Sequence, residues 1–269
     1  LGDEDDPIPA CLLIPDGDGP FPATLILHQH NSEWHLGKSE VCGLAGDPWQ
    51  AFGPALAKAG FVVLAPDSIC FEDRRRTLQG LVPAADPKDD WLQHYNEMAY
   101  RLLRGDLLMR KVLADTATAF SLLHHHPLVD AHRIGVAGHS YGGNVVLFYA
   151  ALEQRLQFAC SSGAACSYRT KMAEGTGIEM AEVIPAFVAK YDIAHLVKCI
   201  APRRLLVVSA SEDAYSRDAG RIVADAREAY ARYDAEDRLD HKTYGGDHAL
   251  TKERFAYIVQ WLVTQRDAA

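Results

Sequence analysis

The chain has 269 residues, of which 48% are hydrophobic and 23% are charged, and its formal net charge is −9 at pH 7. This length and composition suit one large globular domain with a sizeable core, so we expect residues 1–269 to form a single domain. The acidic balance argues against nucleic acid or an anionic membrane as a partner, because no basic stripe is available to neutralise phosphate groups.

Sequence features that report on cellular location favour the cytoplasm. No apolar run approaches the length of a membrane span, and the acidic opening LGDEDD does not resemble a signal peptide. The chain begins at Leu1 instead of methionine, which indicates a trimmed start. The cysteines are scattered without a Cys-x-x-Cys pair, which favours reduced thiols. They are Cys11, Cys42, Cys70, Cys160, Cys166 and Cys199.

Strand-like and helix-like segments alternate along the chain, a pattern typical of a parallel sheet covered by helices on both faces. Short runs rich in Val, Ile and Leu are the predicted strands, and several are apolar throughout, as central strands buried on both faces should be. In chain order these predicted strands are 10–14, 23–28, 61–67, 133–137, 158–161, 204–209 and 241–244.

Helices are predicted over 47–60, 106–123, 143–152, 218–233 and 251–264. The first has a capping aspartate and a first-turn proline, Asp47-Pro48, and Gly60 ends it. Two long stretches, 68–105 and 167–190, do not fit the alternation. Long excursions at the carboxyl ends of strands are usually functional loops or lids, so we expect both to lie near the active site.

Residues 138–142 read GHSYG, directly after the predicted strand 133–137 and directly before the predicted helix 143–152. A serine between glycines on a strand-to-helix turn is the nucleophile-elbow pattern. The glycines are needed because Ser140 adopts a strained backbone conformation, and side chains at 138 and 142 would collide with neighbouring elements. The following helix directs its amino terminus towards the serine, where it stabilises negative charge.

A serine nucleophile needs a histidine base, and that histidine needs an orienting carboxylate. In this arrangement the acid and the histidine each follow a later strand. Asp213 comes directly after the strand 204–209, and His248 after the strand 241–244. Glu212 and Asp218 are alternatives for the acid. Asp247 is adjacent to His248, so we expect it to shape the loop instead.

We predict non-catalytic roles for the side chains of several histidines other than His248. The run 124–126 reads HHH, but adjacent helical residues point in different directions, so we interpret it as a solvated helix end and not as a metal site. His132, His195 and His241 are interpreted as structural or surface residues. His28 and His30 could form a metal pair, but the sequence provides no third ligand. We therefore expect no metal and no cofactor.

Acyl transfer also requires an oxyanion hole. One donor should be the backbone amide of Tyr141, which follows the nucleophile, and the other should lie in the loop after the strand ending at His28. That loop reads QHN at 29–31, where a glycine-rich turn is usual. The His30 amide is our first choice for the second donor, and the Asn31 amide is the alternative.

On these motifs the chain resembles the α/β-hydrolase superfamily, and within it the dienelactone hydrolase-like and acetyl xylan esterase-like group. The matching stretches are 22–28, 60–67, 129–143 and 200–209, and together they span most of the chain. The resemblance implies the α/β-hydrolase fold. Dienelactone hydrolases use a cysteine nucleophile, whereas this chain has Ser140, which favours ordinary ester hydrolysis.

The predicted function is therefore that of a serine carboxylesterase with a Ser140–Asp213–His248 triad. The resemblance implies a small-molecule ester as the partner, with a small acyl group or a carbohydrate-linked ester bond. Two alternatives stay open. One is a serine peptidase of the prolyl-oligopeptidase type, and the other is a non-catalytic binding module on a hydrolase scaffold. The sequence does not define the oligomeric state.

Overall fold

Seven strands form the central sheet of the computed structural model, which describes residues 2–3, 6–76 and 78–266. They are β1 (Ala10–Leu13), β2 (Phe21–Leu27), β3 (Val62–Pro66), β4 (Val129–His139), β5 (Phe158–Ser162), β6 (Arg204–Ala210) and β7 (Leu239–Tyr244). Their spatial order is β1-β3-β2-β4-β5-β6-β7. β1 pairs antiparallel with β3, and every other neighbouring pair is parallel. The predicted mostly parallel sheet is confirmed.

Helices cover both faces of this sheet. They are α1 (Lys38–Val41), α2 (Phe52–Lys58), α3 (Pro87–Leu103), α4 (Leu108–His124), α5 (Tyr141–Leu152), α6 (Tyr168–Glu174), α7 (Ile193–Ile200), α8 (Ala219–Ala231) and α9 (Lys252–Arg266). Alternate strand residues divide between two apolar cores, as the two-residue period of a strand requires. Leu25, Leu64 and Val207 face the core built on α4, α5, α7 and α8, whereas Ile26, Val63 and Val208 face the core built on α2 and α9.

The predicted helix over 47–60 begins later than expected. Asp47 does cap a helical turn, since its side chain accepts from the Trp49 amide, but this turn is a short 3₁₀ helix, Pro48–Gln50. The α-helix starts only at Phe52. The predicted helices over 106–123, 143–152, 218–233 and 251–264 correspond to α4, α5, α8 and α9, with shifts of a few residues at their ends.

The interpretation of 68–105 as a loop excursion is corrected, because much of it is the helix α3. Asp86 caps that helix and Pro87 occupies its first turn. Its buried side chains are polar, namely Asp90, Gln93, His94 and Glu97. Asp90 and Glu97 contact arginines of the preceding segment, for example Asp90 with Arg75, whereas His94 accepts from Trp34 Nε1. A helix that buries charges has no apolar stripe, which is why periodicity did not reveal it.

The second excursion, 167–190, also contains secondary structure. It holds α6 and two short 3₁₀ helices, Met180–Glu182 and Phe187–Ala189. The sequence analysis also did not predict α7, which follows this excursion and is capped by Asp192 and His195 in a reciprocal capping box. That capping role accounts for His195.

All six cysteines are free, and only Cys199 is exposed. Within the described residues, no helix combines the length and the apolar character needed to cross a membrane.

Candidate active site

Ser140 occupies a sharp turn between β4 and α5. Its backbone is in a left-handed region, with φ +54° and ψ −122°, which side-chain-bearing residues rarely adopt. The Ser140 amide donates to the Ser162 carbonyl on β5 at 2.8 Å. The strain therefore places the hydroxyl at the carboxyl edge of the sheet and at the amino terminus of α5.

The glycines of the elbow are required by close backbone approach. A β-carbon at Gly142 would lie 2.1 Å from the Leu27 carbonyl oxygen, and one at Gly138 would lie 2.5 Å from the Gly142 carbonyl carbon. Both contacts are far inside van der Waals distance and involve backbone that cannot rotate away. Only glycine lets α5 start this close to β2.

Three side chains from separate loops meet at this edge. His248 Nε2 lies 2.7 Å from Ser140 Oγ, and His248 Nδ1 lies 3.0 Å from Asp213 Oδ1. The loop after β6 positions Asp213 and the loop after β7 positions His248. Because the carboxylate accepts from Nδ1–H, Nε2 carries the lone pair that faces the serine hydroxyl. This geometry suits proton transfer from serine to histidine.

Asp213 is 2% exposed and is held by several hydrogen bonds. Its carboxylate also accepts from the Tyr215 amide at 2.9 Å and from Ser216 Oγ at 2.6 Å. Burial alone would raise its pKa, but the hydrogen bonds and the charge of His248 outweigh it, so the pKa lies below the usual value. The group is thus ionised at neutral pH.

The alternative acids are occupied elsewhere. Glu212 is exposed, and Asp218 accepts hydrogen bonds from Ser167 and Thr170, which ties it to the excursion 167–190. Asp247 accepts from the Ala249 amide at 3.0 Å, so it shapes the loop that carries His248.

The loop after β2 provides candidate oxyanion donors. Asn31 and Ser32 both have positive φ, +42° and +55°, and the Glu33 amide donates to the His30 carbonyl to close the turn. Within the described residues, the His30 and Asn31 amides donate no hydrogen bond. The Tyr141 amide begins α5, where helical amides have no partner within the helix. All three amides are therefore free to bind a negatively charged oxygen.

The rings of His28 and His30 are neutral. Burial lowers the pKa of each to about 4. His28 donates from Nδ1 to the Gln29 carbonyl at 2.7 Å and accepts at Nε2 from the Ser68 amide at 3.0 Å. Its lone pair is therefore occupied. His30 packs edge-on against Trp34 and accepts from the Ser32 amide at Nδ1. The packing of both rings fixes the loop.

A buried cation anchors the same loop from its far end. Lys38 Nζ lies 2.8 Å from Asp67 and 2.7 Å from Asp73, and it also contacts Glu72. These three carboxylates are the group within the described residues whose spacing could suit a metal ion. The ammonium group of Lys38 occupies the centre between them and balances part of their charge. The cluster ties the loop after β2 to the segment after β3.

The sequence analysis gave His139 no role, yet its ring lies beside that of His248. The ring centroids are 5.0 Å apart, with 30° between the planes. His139 is 1% exposed, and its Nδ1 lies 2.9 Å from Ser162 Oγ. Burial and the nearby His248 lower the pKa of His139 to about 3, so the ring is neutral. Its position inside the elbow motif is the signal that could have identified it.

His139→Ala is expected to lower kcat about tenfold or more while KM changes little, because the His248 ring loses a packing surface that holds it in line with Ser140. Steady-state kinetics on an activated acetate ester measures the effect. His132→Ala, an exposed histidine on the same strand, is the matched control. An unchanged kcat would show that His139 does not position His248.

The cleft above Ser140 is lined by residues from both excursions. Next to Ser140 it contains His30, Asn144, Glu179, Tyr215 and His248. It extends into a second hollow, lined by Trp34, Trp91, Ile178 and Met180, which shares His30, Glu179 and Tyr215 with the first. Glu179 and Tyr215 were not identified from the sequence, because their approach to Ser140 depends on how the excursion 167–190 and the loop after β6 fold.

The histidines that the sequence placed at structural or surface positions lie away from this cleft. His124 ends α4, and His125 is exposed just beyond it. His132 is exposed on β4, and His241 lies 2.9 Å from Ser209 Oγ on the neighbouring strand. They line neither hollow above Ser140.

The fold is shared with solved hydrolase structures. A protein of Bacteroides fragilis NCTC 9343 described as an acetyl xylan esterase superposes with a TM-score of 0.71 at 18% identity, covering 87% of this chain and 62% of that one. A family 15 glucuronoyl esterase of Caldicellulosiruptor kristjansonii gives a TM-score of 0.66 at 17% identity, covering 97% and 73%. The protein has the α/β-hydrolase fold.

The more particular likeness is to acetyl xylan esterases. Residues 98–194 match the model of the acetyl xylan esterase (AXE1) family. YtaP of Bacillus subtilis (strain 168), described as a hydrolase, is 30% identical over 141 residues, which are 52% of this chain and 42% of that protein. The chain thus spans less than half of that relative. The resemblance inferred from the motifs is confirmed.

Proposed function

We propose that the protein is a serine carboxylesterase that works through an acyl-enzyme on Ser140. The observation that carries this proposal is the unbroken hydrogen-bond path from Ser140 Oγ through His248 to the buried carboxylate of Asp213. The likeness to acetyl xylan esterase sequences supports ester hydrolysis as the reaction.

In the first half-reaction, Ser140 Oγ attacks the ester carbonyl carbon and its proton moves to His248 Nε2. The carbonyl oxygen becomes an oxyanion that accepts from the amides of Tyr141 and His30, with Asn31 as the alternative second donor. The intermediate then collapses, the carbon–oxygen bond to the alcohol breaks, and His248 returns the proton to that oxygen. Asp213 stabilises the transiently charged imidazole.

In the second half-reaction, water replaces the alcohol. His248 takes a proton from the water as the oxygen attacks the acyl carbon, and the same amides bind the new oxyanion. Collapse breaks the bond to Ser140 Oγ, which recovers its proton from His248. The acid is released and the free enzyme is restored. Every step uses groups of this chain and water.

The proposed substrate is an ester with a small acyl group, in solution or attached to a carbohydrate. The first hollow beside Ser140 is narrow, and the neighbours with known folds are described as acetyl xylan and glucuronoyl esterases. The excursions 68–105 and 167–190 line the rest of the cleft, and we propose that they set the specificity.

Labelling with a fluorophosphonate probe tests this function. We expect a covalent adduct on Ser140 and hydrolysis of p-nitrophenyl acetate without cleavage of Ala- or Pro-linked p-nitroanilides. Absence of labelling would favour a non-catalytic binding module. Cleavage of the anilides at a comparable kcat/KM would favour a peptidase.

A further inference from the structure

Glu179 places in the cleft a carboxyl group that has no cation from the described part of the chain in contact with it. Its side chain is 19% exposed and lines both hollows above Ser140. Within the described residues, its carboxylate accepts no hydrogen bond, and its ion-pair contact is His30 Nδ1 at 3.9 Å. His30 is neutral at physiological pH, because burial lowers its pKa to about 4. The contact therefore provides no positive charge.

The positive charge of Lys171 acts on Glu179 from a distance, but its ammonium group is bound elsewhere. Lys171 Nζ lies 2.7 Å from Glu182, and both side chains of that pair are buried. The residues that line the two hollows include neither Lys nor Arg. A largely buried carboxylate without a cation in direct contact is costly to ionise, and a bound cation would relieve that cost.

Aromatic side chains surround the same space. Trp34, Trp91 and Tyr215 line the outer hollow with Glu179, and Trp91 stacks on Tyr95 at 5.2 Å with 10° between the rings. Trp91 and Tyr215 are 46% and 40% exposed, so they present surface to a ligand. Aromatic faces next to a carboxylate attract organic ammonium groups, because both the ring quadrupole and the charge favour a cation.

Tyr215 joins the outer hollow to the ring of His248. The leaving oxygen must reach His248 Nε2 to receive its proton. Tyr215 packs on the ring of His248 with centroids 4.9 Å apart and also lines the outer hollow. An alcohol leaving past His248 therefore enters the space between Tyr215, Trp91 and Glu179.

We propose that Glu179, Trp91 and Tyr215 form a subsite for an alkylammonium group on the alcohol part of the ester. This inference rests on the proposed esterase function and specifies its substrate class. Glu179 acts in it as a specificity-determining residue that contacts the substrate.

A matched pair of esters tests the subsite. Acetylcholine and its uncharged isostere 3,3-dimethylbutyl acetate are compared by acid release in a pH-stat at pH 8. We expect the wild-type kcat/KM to be about tenfold higher for the cationic ester. Glu179→Gln should bring the ratio close to one by lowering the value for acetylcholine alone. Glu174→Gln, which changes an exposed glutamate on the same excursion, should leave the ratio unchanged.

The ratio should also fall as the pH decreases from 8 to 6. Burial raises the pKa of Glu179 to about 7, so its negative charge is lost over this range. The other titratable groups facing it are His30, Tyr141, Lys171, Glu182 and His248. The catalytic step is the same for both esters, so the ratio cancels its pH dependence.

The outcomes separate the two proposals. Hydrolysis of both esters with a wild-type ratio near one, or a high ratio that persists in Glu179→Gln, would overturn the ammonium subsite and leave the esterase function standing. A preference for the neutral ester would likewise overturn it. No hydrolysis of either ester or of p-nitrophenyl acetate would overturn the esterase function itself.

Discussion

Replacing Ser140 with alanine is expected to lower kcat for ester hydrolysis by about a thousandfold or more. Without the hydroxyl no acyl-enzyme forms, and His248 has no nucleophile within hydrogen-bond distance. The remaining rate would come from water activated in the same cleft. KM should change little, because the serine hydroxyl contributes little to ground-state binding. Initial rates and fluorophosphonate labelling on the same preparation measure both effects.

Ser121→Ala is the matched control for that substitution, since Ser121 is an exposed serine on α4 away from the cleft. It should retain wild-type kcat. Thermal unfolding of Ser140→Ala should stay close to wild type or shift upwards, because alanine removes only a hydroxyl group that faces the cleft and leaves no buried cavity. A variant with native stability and unchanged turnover would contradict covalent catalysis at this position.

The sheet was predictable because the apolar composition of its central strands is visible in a short stretch of sequence. β3 is apolar throughout, and β2 and β6 are mostly apolar, a composition typical of strands buried on both faces. The helix α3 was not predictable in the same way. Its buried face consists of charged and polar residues whose partners, such as Arg75 for Asp90, lie in a separate segment. A pattern that depends on tertiary ion pairs cannot be read from hydrophobic periodicity.

Some residues of the candidate site were also predictable from local sequence, and others were not. Ser140 was predictable from a local sequence motif. Asp213 and His248 were predictable because functional loops follow the carboxyl ends of parallel strands. Glu179 carries no such signal, because it lies in an excursion whose return path to the cleft depends on packing. Among the described residues, the lack of a cation in contact with its carboxylate is evident only once the neutral state of His30 and the ion pair of Lys171 with Glu182 are known. These properties belong to the folded environment and not to the residue types.

Asp213→Asn is expected to lower kcat by about a thousandfold to ten-thousandfold with only a small change in KM. The carboxylate accepts from His248 Nδ1–H and so keeps the Nε2 lone pair directed at Ser140. An amide nitrogen placed there would donate to Nδ1, shift the proton to Nε2, and leave no base for the serine. With its nitrogen in the Oδ1 place, the asparagine still accepts from Ser216 through its oxygen, whereas the Tyr215 amide loses its acceptor.

Two substitutions provide the comparison for Asp213→Asn. Glu212→Gln and Asp218→Asn alter the neighbouring acids without touching His248, and both should keep kcat within a few-fold of wild type. Circular dichroism melting of all three variants checks that they remain folded. If Asp213→Asn stayed near wild-type turnover while Asp218→Asn lost it, the acid of the triad would have to be reassigned. Asp218 accepts hydrogen bonds from Ser167 and Thr170 and not from His248. We therefore expect Asp213→Asn, and not Asp218→Asn, to lose turnover.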